Sequence, residues 1–376
     1  MIHTKRNIRP ALKPGVTLRY LSQDFVALET PYRRGDEGLV MPVRFHEIEL
    51  LSLLKSMDGA KDLRSLAHIT SIGIDDLESL IAQLTSHSLI DTKRTPIPYL
   101  NRYNSQSQRI EEVNDVESLP EDLAVTTFLQ RCEIESSAMT FHPGVVDGGR
   151  SALLSRRDFA IEIYGNDRIA IALAANLAAS GFSRLSFNRK SQQRNRTDLR
   201  ITPLDVLGTL YRSSDIGKKK SESFEVLLPE FSIFSNAEKS EIGRETKVDL
   251  VIVTEPPAPE AQQMWMSEGI SHLAIRREVG GIIRIGPFVE PGKSPCLRCV
   301  ELSESQLDPL RETVIRETPA SLTSLIAGVV CADVATIALS ARSVFSATTA
   351  RYSLRDFLHP IEKRWEPHPG CGCFWR

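Results

Sequence analysis

The chain has 376 residues, of which 41 % are hydrophobic, and a formal net charge of −2 at pH 7. This is enough apolar sequence for two or three domains with cores of their own. The small net charge excludes a general attraction to nucleic acid or to an anionic membrane, so such a partner would need a local basic patch. The first ten residues carry early charges and no apolar run, and we predict no signal peptide.

The N-terminal region alternates strand and helix patterns. Residues 14–41 predict three short strands separated by turn residues, the third running over Gly38–Met41. Three helical patterns follow, the first from Phe45 to Met57 and the second over Asp62–Ile69. The third is expected to start at Asp75 as N-cap, with an acid three residues on in the manner of a capping box. Three strands and three helices predict a winged-helix-like module.

Such a module suggests DNA or peptide as partner. Between residues 75 and 87 the third helix carries three acids and neither Lys nor Arg, which argues against binding of phosphates. A groove between the third strand and the third helix can instead accept an extended peptide as an added strand. The alternative is that the helix leucines face the core of the module, which must hold for some of them. The candidate peptide-binding residues are Leu39, Val40, Met41, Leu77, Leu80, Ile81 and Leu84.

Residues 95–155 read as a connector, and an α/β pattern follows. The predicted elements are a strand at Phe159–Tyr164, a helix from Asp167 to Ser180, a strand at Arg184–Phe187 and an apolar strand at Val248–Thr254. This order predicts a doubly wound α/β domain. The apolar stretch from residue 325 to 339 is shorter than a bilayer span of about 20 residues and is expected to be a buried helix.

The expected nucleotide site of such a fold is degraded. After the first strand a phosphate-binding loop needs three glycines, and only Gly165 is present. Asp167 puts a negative charge beside the expected phosphates, and Asn188 and Arg189 end the second strand where an acid would hold ribose. We therefore favour a scaffold with a vacated nucleotide pocket over an ATP-binding loop, and we assign no catalytic residue.

Two close cysteine pairs, Cys296 with Cys299 and Cys371 with Cys373, predict a four-cysteine zinc site. Each pair is flanked by prolines and glycines and can chelate one ion, and four thiolates leave no open position, so the zinc is structural. The alternatives are two disulfides or four unrelated core cysteines. The other two cysteines, Cys132 and Cys331, stand alone in apolar surroundings. A zinc tetrathiolate favours a reducing compartment, and we expect the cytoplasm.

These residues carry a family resemblance. Residues 156–376 resemble the ThiF-like, ubiquitin-activating-type adenylyltransferase fold with its zinc tetrathiolate. The segment Gly286–Cys299 and the terminal His-Pro-x-Cys-x-Cys resemble the ThiF-like partner proteins of azoline-forming (thiazole/oxazole-modified) peptide clusters, and residues 10–94 resemble the PqqD-like recognition element. The segment Asp215-Ile-Gly-Lys218 is similar to the Asp-Val-Gly-x-x-Lys segment of adenylating members, which keeps a residual nucleotide role open.

The resemblance implies a division of the chain and a function. Residues 1–94 would be a peptide recognition element, 95–155 a connector and 156–376 the ThiF-like domain. The chain would bind the leader of a ribosomal precursor peptide, as in bacteriocin biosynthesis, and present the core to a YcaO-family cyclodehydratase. That partner would bind and use ATP, which is not expected on this chain. The chain itself would form a homodimer, with neither nucleic acid nor membrane as partner. The alternatives are an ATP-dependent adenylyltransferase that activates a peptide C-terminus and a transcription factor.

Overall fold

A computed structural model describes residues 8–34, 37–93, 131–142, 144–187, 200–208, 210–231, 247–278, 280–307 and 318–373. The chain divides into two compact units, Met1–Leu154 and Ser155–Arg376, and the boundary falls within the helix Arg150–Asp158. The predicted connector over 95–155 lies partly outside the described residues. Its later part belongs to the first unit, where the buried Lys13 ammonium donates to the carbonyls of Thr140 (2.6 Å) and Val145 (2.8 Å).

Within residues 8–93, the described part of the first unit contains small antiparallel sheets and three helices. In chain order the elements of this part are β1 Ala11–Leu12, β2 Thr17–Tyr20, β3 Phe25–Glu29, β4 Leu39–Pro42, β5 Arg44–Phe45, β6 Ile48–Glu49, α1 Leu50–Ser56, α2 Leu63–Thr70, α3 Ile74–Ser86 and β7 Ile90–Asp91. β2, β3 and β4 form a three-stranded sheet in that order, β1 pairs with β7, and β5 pairs with β6. Three strands and three helices were predicted, and the structure has them together with these short extra strands.

Two helix starts differ from the sequence prediction. The first helix begins at Leu50 because Phe45 pairs with Ile48 in a tight hairpin, in which His46 adopts a left-handed φ of 55° that a helix does not allow. The third helix begins at Ile74, with Gly73 at the N-cap and no side-chain cap. Asp75 therefore lies in the first turn, where its charge interacts with the helix dipole rather than capping it.

The described strands of the second unit are β8 Ala160–Tyr164, β9 Arg184–Phe187, β10 Leu250–Val253, β11 Ser271–Glu278, β12 Ile282–Val289, β13 Thr348–Tyr352 and β14 Ile361–Arg364. They form one sheet in the order β14-β13-β12-β11-β10-β8-β9. β9, β8, β10 and β11 are parallel, whereas β12, β13 and β14 are added antiparallel. The predicted doubly wound domain is thus a mixed α/β domain, in which four of the seven described strands are parallel.

The described helices of the second unit include two that lie against each other, Arg168–Ala179 and Ala320–Ser340. The latter has the length and mean hydropathy (2.0) of a membrane span, but 56 % of its apolar window is buried within the structure. It is therefore packed as the core helix that the sequence predicted. The others are Lys220–Phe231, Pro259–Glu268 and Leu297–Leu307.

Candidate metal centre, peptide-binding edge and nucleotide loop

The structure brings the four paired cysteines together. Cys296 precedes the helix Leu297–Leu307 and Cys299 lies in its first turn, while Cys371 and Cys373 lie after β14. The Sγ atoms are 3.8 Å apart within the first pair, and 3.4 Å and 3.3 Å apart between the pairs (296 to 371 and 299 to 373). All four lie within 4.8 Å of one another. Such a group can hold one metal ion.

These sulfur distances decide between the alternatives left open by the spacing. A disulfide would place two Sγ atoms about 2.05 Å apart, and none of the six cysteines forms one. Four thiolates at about 2.3 Å from one ion in a tetrahedron would be roughly 3.8 Å from each other. The cluster is close to that geometry and is not two disulfides or four scattered core cysteines.

The protein backbone positions and polarises the thiols. The Cys299 amide donates to the Cys296 carbonyl (3.0 Å), and the His368 amide donates to Cys299 Sγ (3.3 Å). Burial opposes ionisation of Cys299, but hydrogen bonds from the backbone of His368 and Cys296 and from the thiols of Cys373 and Cys371 lower its pKa overall. Burial raises the pKa of Cys373 to about 11. Gly372 between the last two cysteines has a φ of 71°, which glycine adopts without strain. Buried thiols of this kind become thiolates when a cation neutralises them.

β4 is an edge strand that no other described strand pairs with on its outer side. The Val43 amide donates to the Asp24 carbonyl (2.8 Å), and the Leu21 amide donates to the Phe25 carbonyl (2.9 Å). Because hydrogen-bonding pairs alternate along an antiparallel ladder, the backbone N–H and C=O of Val40 must point away from β3. Pro42 points its carbonyl the same way and has no N–H to offer.

The side chains predicted for the peptide groove are placed differently from the expectation. Of the three strand residues only Val40 is accessible, with 52 % of its surface exposed, while Leu39 and Met41 are buried. The four helix residues, which were expected in part to line a groove, are all in the core of the first unit with exposed fractions of 0 to 4 %. They are Leu77, Leu80, Ile81 and Leu84. These four residues form the apolar face with which α3 covers the sheet. The same helical spacing of apolar residues is expected for packing in the core and for lining a groove, so the sequence could not distinguish the two.

The loop after β8 is closed by carboxylates of the chain itself. The Glu255 carboxylate accepts from the Asn166 amide (3.2 Å), and the Asp167 side chain caps the following helix by accepting from the Ala170 amide (2.9 Å). A Cβ on Gly165, whose φ is 137°, would come within 2.1 Å of the Thr254 hydroxyl, so the loop admits only glycine there. The helix N-terminus, which in nucleotide folds receives phosphate, already holds negative charge here.

Asp167 is buried beside a cation. Its carboxylate lies 3.2 Å from the Arg277 guanidinium, and both side chains are less than a tenth exposed. Burial raises the pKa of Asp167 to about 6, Arg277 opposes the rise, and Glu255 adds to it. The carboxyl groups of Asp167 and Glu255 occupy the place where a phosphate would approach the helix N-terminus. The predicted loss of the phosphate loop therefore has a structural basis in described residues, whereas Asn188 and Arg189 lie outside them.

Sequence reasoning missed Lys220. Its ammonium lies 2.7 Å from the Asp205 carboxylate and 3.3 Å from the Asn166 carbonyl, directly at the degraded loop. The segment that resembles Asp-Val-Gly-x-x-Lys puts Lys220 in the lysine position, whereas Lys218 pairs locally with Asp215 (2.7 Å). Aligning the full Asp-Val-Gly-x-x-Lys spacing from Asp215 would have identified Lys220 from the sequence.

Comparison with solved structures supports a ThiF-like, ubiquitin-activating-type fold for this mixed α/β chain. No protein-family model matches the sequence, and neither does any curated protein. A structure of E. coli MccB with AMPCPP and MccA is 12 % identical, with a TM-score of 0.60 over 97 % of this chain and 99 % of that one. MccB with ATP is 14 % identical, with a TM-score of 0.58 over the same shares. PaaA is 15 % identical, with a TM-score of 0.60 over 94 % of this chain and 100 % of that one. At these identities the likeness shows the fold.

Proposed function

We propose that this chain binds the leader of a ribosomal precursor peptide along β4 and presents the core to a YcaO-family cyclodehydratase, which forms thiazolines and oxazolines with ATP. The observation that carries the proposal is the open edge of β4, where the backbone of Val40 points outward. An extended peptide that adds a strand there gains backbone hydrogen bonds that do not depend on its sequence. The likeness to a microcin C7 biosynthetic enzyme solved with N-formylated MccA supports the proposal at the level of the fold.

The remaining parts of the proposal concern organisation. Residues 1–94 act as the PqqD-like recognition element, 95–155 connect, and 156–376 form the ThiF-like domain with a structural zinc in the cysteine cluster. The chain supplies binding and orientation of the peptide, which is the proximity contribution to the rate, and no catalytic side chain. A homodimer and a cytoplasmic location belong to the same proposal.

Replacing Val40 by proline tests the edge directly. The substitution removes an N–H that makes no bond to β3, and proline is tolerated on an edge strand at such a position. We expect the variant to fold and to bind peptide at least about tenfold more weakly, because the incoming carbonyl loses its donor. Peptides enriched on the wild-type protein from a random display library, then synthesised with a fluorescent label, provide the probe for anisotropy.

Val40→Thr is the matched control for that experiment. It keeps the N–H and the β-branched shape, so binding should survive within about tenfold. Equal affinity of all enriched peptides for Val40→Pro and wild type, or no enrichment at all, would remove strand addition at β4 and with it the proposed function.

The second candidate function is adenylation of a peptide C-terminus, favoured by Lys220 at the loop and by the MccB structures with ATP and AMPCPP. The carboxylates of Asp167 and Glu255 at the helix N-terminus oppose it. We expect no binding of magnesium-ATP in the micromolar range by calorimetry and no exchange of pyrophosphate into ATP. Micromolar binding with exchange would establish the adenylyltransferase instead.

A further inference from the structure

The outer face of the three-stranded sheet is apolar beside its open edge at β4, where polar residues are expected, and it is charged towards β2. An antiparallel sheet covered on one side usually presents polar residues to water on the other. Here the alternation places Val26, Leu28, Leu39 and Met41 in the core, and their neighbours on the opposite face. On that outer face Phe25 is opposite Pro42 and Ala27 is opposite Val40.

The apolar stripe made of Phe25, Val40 and Pro42 is exposed at the open edge. Half of the Phe25 surface (50 %) and half of the Val40 surface (52 %) are exposed, and Pro42 is exposed as well. The charged residues of this face lie farther from the edge, where Arg19 of β2 pairs with Glu29 of β3 at 2.8 Å. An accessible apolar stripe beside unpaired backbone groups is the arrangement that reads side chains of an added strand.

We infer that the chain selects its peptide through this outer stripe, by an apolar residue aligned with Val40, rather than through the helix leucines. Side chains of aligned residues on neighbouring strands lie on the same face of the sheet. The peptide residue aligned with Val40 therefore packs against the stripe, as does the residue two positions along, beside Pro42. The substrate class is an extended peptide with apolar side chains at alternate positions. This inference rests on the proposed function, to which it adds the kind of peptide side chain that the edge strand β4 recognises.

The backbone makes the position aligned with Val40 the anchor. Val40 offers both a donor and an acceptor, whereas Pro42 offers only a carbonyl. The peptide carbonyl beside Pro42 finds no partner on β4, so Val40 is the one residue of β4 that can both donate to and accept from the added strand. Restoring an N–H with Pro42→Val should tighten binding about fivefold, since a net hydrogen bond of this kind corresponds to that factor.

The test compares selections from a random peptide display library on four proteins: wild type, Phe25→Ser, Pro42→Val and Ile69→Asn. Ile69 is an exposed apolar residue on α2 (61 %) and serves as the matched control for loss of apolar surface. Wild type and Ile69→Asn should enrich peptides with apolar residues at alternate positions. Phe25→Ser should lose that preference and bind the wild-type peptides about tenfold more weakly, because less apolar surface is buried.

Backbone N-methylation, scanned along an enriched peptide, then locates the anchor. On wild type one alternate set of amides should be sensitive, and the residue aligned with Val40 should be apolar. Loss of binding to Val40→Pro together with unchanged selection by Phe25→Ser would overturn the outer stripe and leave strand addition standing. Full binding to Val40→Pro would overturn the proposed function itself. Circular dichroism of each variant shows that it has folded.

Discussion

Replacing Cys371 by serine is expected to remove the metal and unfold the C-terminal part of the chain. Cys371 Sγ lies 3.4 Å from Cys296 Sγ, and the two pairs come from segments that are far apart in the sequence. Binding of a structural zinc ion contributes about 10–16 kcal/mol to the folding of small zinc modules. This is as large as the whole stability of a typical domain, about 5–15 kcal/mol. Metal content by atomic emission and unfolding followed by near-ultraviolet circular dichroism measure the two effects.

The chain provides matched controls for that substitution. Cys132 and Cys331 are buried cysteines outside the cluster and form no disulfide, so Cys331→Ser should keep one metal ion per chain and lose only the small free energy of a buried sulfur contact. Treating the wild-type protein with a strong chelator should have the same two effects as Cys371→Ser, loss of the metal and unfolding of the C-terminal part. A Cys371→Ser variant with full metal content would show that the cluster is not the ligand set. A metal other than zinc in the purified protein would change the identity of the ion and leave its ligands as proposed.

Replacing Leu77 by aspartate is expected to unfold the first unit. Leu77 is fully buried in the core formed by the helices and the three-stranded sheet. Loss of a buried leucine side chain costs about 2–5 kcal/mol, and an unpaired buried carboxyl group adds several kcal/mol or takes up a proton. The sum is comparable with the stability of the unit. Urea unfolding monitored by circular dichroism should show the loss of its cooperative transition.

Ala82→Asp on the same helix is the control for Leu77→Asp. Ala82 is exposed, so the same charge there should lower the free energy of unfolding by only about 1 kcal/mol, through lost helix propensity and repulsion from Glu78. A stable Leu77→Asp protein that has lost only peptide binding would show that Leu77 lines an accessible groove, as the sequence had left open. In that case the outer stripe would not be the sole recognition surface.

Much of the fold followed from local pattern. The strand at Arg184–Phe187 and the helix capped by Asp167 agree with the prediction within one or two residues, because alternation and capping act between near neighbours in the sequence. The predicted start of the first helix was wrong because the spacing of Phe45 and Ile48 fits a helix and a hairpin equally well. The left-handed backbone conformation of His46 fits the hairpin only. The antiparallel strands of the large sheet were missed for two reasons. β11 and β12 form a hairpin over Gly280 and Gly281, a local signal that the sequence analysis did not use. β12 and β13 pair across residues 290–347, a separation over which sequence patterns do not fix strand pairing.

The sequence by itself determined the cysteine chelates and the degraded phosphate loop, because both depend on residue types at short spacing. Only the tertiary structure decided that the two cysteine pairs meet, and that Lys220 reaches the loop while Glu255 closes it. It also decided which apolar residues of the first unit remain accessible. The apolar helix pattern has one face for either a core or a groove, and packing against the sheet used it entirely for the core, which left Val40 and Phe25 at the open edge.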